Sequence, residues 1–111
     1  MFKFQAIFAL AVLGSAALAQ AEKPVGCFPC VKGFVDLGPA TFQSVGLCHS
    51  QCEAAGFPVF GLTNGTECLC GQMADIPAAE TKVEDALCDK PCPGFAPQKC
   101  GGNGVVSVYT K

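Results

Sequence analysis

Tryptophan is absent from this chain, and tyrosine and histidine occur once each, as Tyr109 and His49. Beyond its N-terminal segment it has no long apolar run, so no membrane-spanning helix is expected there. The final Val108-Tyr109-Thr110-Lys111 lacks the hydrophobic tail of a lipid-anchor signal, and no Ser/Thr-rich stalk, low-complexity tract or internal repeat is present. A formal charge of -2 supplies no attraction for nucleic acid or for an anionic membrane. The lone histidine sits beside Ser50 and Gln51 and reads as a solvated residue on the exposed side of a helix. Glu53, Glu67, Asp75, Glu80, Glu84, Asp85 and Asp89 could supply the carboxylate pair of a glycosidase. A domain this small leaves little room for a substrate cleft, however. We expect no enzyme.

What the chain has in excess is cysteine. Nine fall between Cys27 and Cys100, and none precedes Cys27. The residues before them have the three zones of a secretory leader. Lys3 supplies the positive charge, Phe4 to Leu13 is apolar apart from Gln5, and Ala17-Leu18-Ala19 offers the small residues of a cleavage site. Residues 1–19 are therefore expected to be a signal peptide, with cleavage after Ala21 fitting almost as well. The remaining residues, 20–111, form one domain by length, and their cysteine content marks a secreted disulfide scaffold. An oxidising compartment argues against zinc at Cys27-x2-Cys30 or Cys68-x-Cys70, so no metal or other cofactor is expected. Nor does Pro29 promise the helix on which a Cys-x-x-Cys redox pair usually sits.

Gly26-Cys27-Phe28 reads as the start of a strand, whereas Gly33, Gly38 and Pro39 break Phe34-Val35-x-Leu37 into loop. Ser44 can cap a helix whose apolar face is Val45, Cys48, Cys52 and Ala55, with Gly56 placed for a left-handed terminus. Phe57–Leu62 and Glu67–Cys70 read as the two strands of a hairpin, with Asn64-Gly65 as a tight turn of positive φ. Asn64-Gly65-Thr66 is also an N-glycosylation sequon, placed at an accessible tip. Met73 to Asp85 has partial helical spacing. Cys88-x3-Cys92-Pro93-Gly94 and Cys100-Gly101-Gly102-Asn103-Gly104 read as turns before a closing strand, Val105 to Tyr109.

Cys48-x3-Cys52-x3-Gly56, followed by Phe60-Gly61-Leu62-x2-Gly65-x-Glu67-Cys68-x-Cys70-Gly71, resembles the core of the WSC domain. The tail, Cys88-x3-Cys92-x-Gly94 with Cys100-Gly101-Gly102 and Val106-Ser107-Val108-Tyr109, extends that resemblance, and Gly26-Cys27 completes it at the front. It implies an extracellular module, common in fungi, with a PAN/apple-like α+β fold: one main helix on a short-stranded antiparallel sheet, held by four disulfides. Its core would span residues 26–109. The eight cysteines of the pattern are Cys27, Cys48, Cys52, Cys68, Cys70, Cys88, Cys92 and Cys100, which leaves Cys30 as a free thiol or a link to a second chain. Order alone leaves 105 connectivities, and we expect only Cys48 with Cys68, tying helix to hairpin.

By the same resemblance, the partner expected is a cell-wall polysaccharide such as β-glucan, bound without catalysis. Sugar-binding surfaces offer flat aromatic faces with polar groups beside them. Phe28, Phe57, Glu67 and Tyr109 are the residues expected to form that surface, although the phenylalanines equally suit a core. Val59, Asn64 and Leu69 stand where family members often carry tyrosines. That departure favours the alternative: a secreted protein-interaction module or effector that keeps the scaffold without binding sugar.

Overall fold

The computed structural model describes residues 22–111; the expected leader lies outside them. Asn64 and Gly65 adopt φ angles of 56° and 86° at the hairpin tip. Strands β3 (Val59–Thr63) and β4 (Glu67–Gly71) run from it, in a register that pairs Thr63 with Glu67, so Thr66 belongs to the turn as well. Around this hairpin the chain builds a five-stranded antiparallel sheet. It adds β1 (Lys23–Phe28), β2 (Val35–Pro39) and β7 (Val106–Thr110), in the order β1-β7-β3-β4-β2. The closing strand thus lies inside the sheet, between β1 and β3. Val106, Ser107 and Val108 are accordingly buried in succession.

Segment 35–39, expected as loop, is instead an edge strand paired with β4. Proline is tolerated there because an edge strand need not donate on its outer side, and Asp36 accepts the Gly38 N–H at 2.7 Å. Nor do residues 73–85 form an α-helix. Pro77 intervenes, and they make single 3-10 turns at Met73–Asp75 and Ala79–Thr81, with a third at Asp85–Leu87. The region expected as a constrained turn after Cys88 contributes to a small hairpin, β5 (Pro91–Cys92) with β6 (Phe95–Lys99).

Helix α1 (Val45–Ala54) begins where Ser44 accepts the Leu47 N–H at 3.0 Å. It ends before Gly56, whose φ of 89° breaks the helical path. Ala55 falls outside the helix and is exposed, while Val45, Cys48, His49 and Cys52 form the buried stripe. His49 is therefore not the solvated residue expected from its polar neighbours. It lies four residues from Val45 and three from Cys52, which places it on the core side.

The two sheet faces have different covers. Cross-strand partners share a face, so Phe60, Leu62, Cys68 and Cys70 turn together toward α1 and form one core with Val45, Cys48 and Cys52. Phe28, Val59, Val106 and Val108 form a second core on the other face, covered by Val31, Phe34 and Ile76. Gly71 is required there: a Cβ on it would lie 2.8 Å from the Phe34 ring. Four disulfides fasten these layers. Cys48–Cys68 and Cys52–Cys70 join α1 to β4, Cys27–Cys88 joins β1 to the loop after the 3-10 turns, and Cys92–Cys100 closes the small hairpin. Cys30 is free and exposed.

Candidate functional site

Phe28, expected at the binding surface, has no exposed surface at all. Its pairing with Val106 turns the ring into the second core, so it cannot meet a ligand. Phe57 and Tyr109 are half-buried and pack against the core beneath α1. Glu67 is also half-buried, but it pairs with Thr63 and Tyr109 pairs with Phe60. Those rows lie three residues apart on β3, an odd offset, which puts Glu67 on the other side of the sheet from Tyr109. The four residues do not form one surface.

Among the described residues, the aromatic rings most open to solvent are Phe42, 74% exposed, and Phe95, 53% exposed. Gln43 explains why they sit together. Its side chain is fully buried and donates from Nε2 to the Thr66 carbonyl at 3.0 Å, while its Oε1 accepts from the Ser44 N–H at 3.2 Å. Its own carbonyl accepts the Gly94 N–H at 2.8 Å. Gln98 adds a second clamp by accepting the Val45 N–H at 3.1 Å. Gly94 lies so close to the Phe42 carbonyl that any Cβ would collide with it. The backbones bearing Phe42 and Phe95 are thereby locked against each other, and Cys92–Cys100 closes the hairpin behind Phe95. The rings project from a frame already ordered before any partner arrives, which limits the entropy lost on binding.

A second aromatic group lies under the first sheet face. The His49 and Phe60 rings stack with centroids 5.0 Å apart, and Phe60 and Tyr109 stack at 5.4 Å. Glu22 meets His49 Nδ1 through its Oε2 at 3.0 Å, tying the start of the described chain to α1. Burial, and then the negative charge of Glu22, push the Tyr109 phenol above its ordinary pKa of 10.0. The Cys48, Cys52 and Cys68 sulfurs lie within 4.8 Å of one another. They are consumed by adjacent disulfides and carry no thiolate to ligate a metal.

A small antiparallel sheet, one riveted helix and four cross-links define a disulfide-clamped α+β module with an exposed aromatic surface. The family model of the WSC domain matches residues 25–102, and the chain belongs to the WSC domain family. It is 33% identical over 101 residues to Protein SLG1 of Saccharomyces cerevisiae, covering 90% of this chain and 26% of that protein. Cell wall integrity and stress response component 2 of the same yeast is 36% identical over 77 residues, covering 69% of this chain and 15% of that protein. Xylosyltransferase oxt of Drosophila melanogaster is 35% identical over 69 residues, covering 62% of this chain and 8% of that protein. The chain thus spans about a quarter or less of these relatives, and similar segments occur in proteins of different kinds. Among the described residues no helix is long and apolar enough to cross a membrane.

Proposed function

We propose that this chain is an extracellular, non-catalytic module that binds cell-wall polysaccharide, with β-glucan as the first polymer to test. The observation that carries the reading is the pair of exposed rings, Phe42 and Phe95, held on interlocked backbones. Flat aromatic faces pack against the C–H groups of a pyranose, and such contacts need rings that are exposed and immobile. Membership of the WSC family supports the same reading, as does similarity to a yeast protein named for cell wall integrity. The leader expected at residues 1–19 would deliver the chain to the wall, and the sequon residue Asn64 is exposed, although Gly65 beside it is buried.

The test is co-sedimentation of the oxidised, secreted protein with insoluble β-1,3-glucan, chitin, cellulose and xylan. Depletion by one polymer is expected, weakened about fivefold or more in F42A/F95A if each ring contributes about 0.5–1.5 kcal/mol. No depletion by any polymer would refute the reading and favour the protein-interaction module. Depletion unchanged in F42A/F95A would keep polysaccharide binding and reject this surface.

A further inference from the structure

Lys82 is exposed, but its stem lies along β1. Its Cδ occupies the space where a Cβ on Gly26 would come within 2.6 Å, and its Nζ donates to the Val25 carbonyl at 3.4 Å. Gly26 has a φ of 151°, so both its conformation and its missing side chain admit the lysine stem. Immediately beyond, the Val83 N–H donates to the Cys27 carbonyl at 2.9 Å, and Cys27–Cys88 anchors the far end of the same segment. Residues 82–88 are thus pinned alongside β1 at both ends. Between them and the β1–β7 pair runs a groove of about 410 Å³, lined by Lys82, Asp85, Pro24, Ser107 and Tyr109 among others.

The lining distinguishes this groove from a packing defect. Asp85 is exposed and Lys82 carries the opposite charge, so the two cancel. Phe60 stacks on Tyr109, which is half-buried and lines the groove. The phenol remains neutral through physiological pH and can both donate and accept a hydrogen bond. Asp85 offers an acceptor only and Lys82 donors only. A tyrosine beside a donor and an acceptor of opposed charge suits a polyhydroxylated ligand, and the Glu22 charge that acts on the phenol further disfavours an anion. An anionic or cationic ligand would meet one partner and one like charge. The volume lies within the usual range of small-molecule sites, about 300–1,000 Å³.

We propose that this groove is a second glycan subsite, taking neutral glycosyl units with Tyr109 as the stacking face and Lys82 and Asp85 as hydroxyl partners. The proposal rests on the polysaccharide reading and extends it to a site apart from the Phe42–Phe95 surface. Two contacts on one rigid domain would let a polymer chain engage more than one of its residues, which raises affinity without demanding a deep pocket.

The test measures binding isotherms on whichever of the four polymers depletes the oxidised protein, comparing wild type, D85A/K82M and F42A/F95A. Methionine retains the apolar stem that packs on Gly26, and the Asp85 carboxylate makes no hydrogen bond or ion pair among the described residues, so thermal melting should not change. Affinity in D85A/K82M is expected to fall about tenfold with an unchanged melting temperature. In Y109L it should fall too, and there the binding loss must exceed that of H49L, which disturbs the same stack outside the groove. Equal affinity of D85A/K82M and wild type would overturn the groove while the polysaccharide reading stood. Failure of wild type to bind any of the four polymers would remove both.

Discussion

The disulfide Cys27–Cys88 should contribute more to stability than any other, and the reason is the size of the loop it closes. Its two cysteines are 61 residues apart in sequence, against 20 for Cys48–Cys68, 18 for Cys52–Cys70 and 8 for Cys92–Cys100. The Cys27–Cys88 loop contains the interlaced Cys48–Cys68 and Cys52–Cys70 bridges, which changes the arithmetic. With Cys48–Cys68 in place, the shortest path from Cys27 to Cys88 crosses that bridge and is only about 40 residues long, so its loss relieves about 4 kcal/mol of chain-entropy constraint on the unfolded state. Cys52–Cys70 closes a path of about seven residues once Cys48–Cys68 is made, and is worth about 2.5 kcal/mol by the same relation. Cys92–Cys100 comes to a similar figure, about 2.5 kcal/mol.

Packing works against this ranking, which makes the comparison informative. Cys92 and Cys100 are fully buried, while Cys88 keeps 7% of its surface, so the cavity left by alanine is at least as costly at the small hairpin. A domain of about 90 residues has about 5–13 kcal/mol in hand and should survive either loss. Urea unfolding of oxidised C27A/C88A and C92A/C100A, each fitted with its own m-value because the two lost cross-links release unfolded chains of different compactness, gives the two differences. The reasoning requires C27A/C88A to be the less stable by about 1.5 kcal/mol. Equal stability, or the reverse order, would show that packing rather than loop closure governs these bridges.

Three further outcomes follow from the same geometry. Q43A should lose about 2 kcal/mol in urea unfolding, because it strips the Ser44 N–H of its acceptor beside a buried void, and it should also weaken binding at the Phe42–Phe95 surface. The Tyr109 phenol should titrate above 10.0 when followed by absorbance at about 295 nm, with E22Q lowering the midpoint only partly because burial is the larger cause. Since the folded-state pKa is the raised one, the unfolded chain ionises first, so stability should hold below pH 10 and decline as pH rises through the folded value. Protein secreted from a eukaryotic host should carry a glycan at Asn64, removed by N-glycosidase with conversion of the asparagine to aspartate and absent from N64Q.

Local chemistry made much of the frame legible. Asn64-Gly65 announced a turn, Ser44 a helix start and Gly56 its end, because each is decided by a few neighbouring dihedrals. The cysteine spacings showed that Cys48 and Cys52 share a helical face and that Cys68 and Cys70 share a strand face; only Cys48–Cys68 was expected from them, and Cys52–Cys70 needed the structure. His49 was legible too, since its offsets from Val45 and Cys52 complete the buried stripe, but its polar neighbours Ser50 and Gln51 concealed it. Phe28 and Phe42 could not be told apart in the same way. Both are phenylalanines near breaks in pattern, and what buries one and exposes the other is long-range. Phe28 lies opposite Val106 from the far end of the chain, while Phe42 is held outward by the contact of its own backbone with Gly94.

The same distinction explains why the groove escaped a reading of the sequence. Lys82 and Asp85 sit in a stretch whose helical spacing is only partial and which folds as single 3-10 turns, and in isolation they are two surface charges. They become a wall only because three contacts, each with its partner more than fifty residues away, hold that stretch against β1: the Cys27–Cys88 bridge, the Val83 N–H on Cys27, and the Lys82 stem on Gly26. Stability and site therefore share a cause. The bridge whose loss should cost most is also the one that forms the groove, so C27A/C88A should lose the groove contribution to binding at urea concentrations where the rest of the domain remains folded. C92A/C100A, in contrast, should loosen the Phe95 hairpin and leave the groove intact. If the two disulfide variants lost binding in parallel, the two surfaces would have to be one cooperative unit rather than separately anchored contacts.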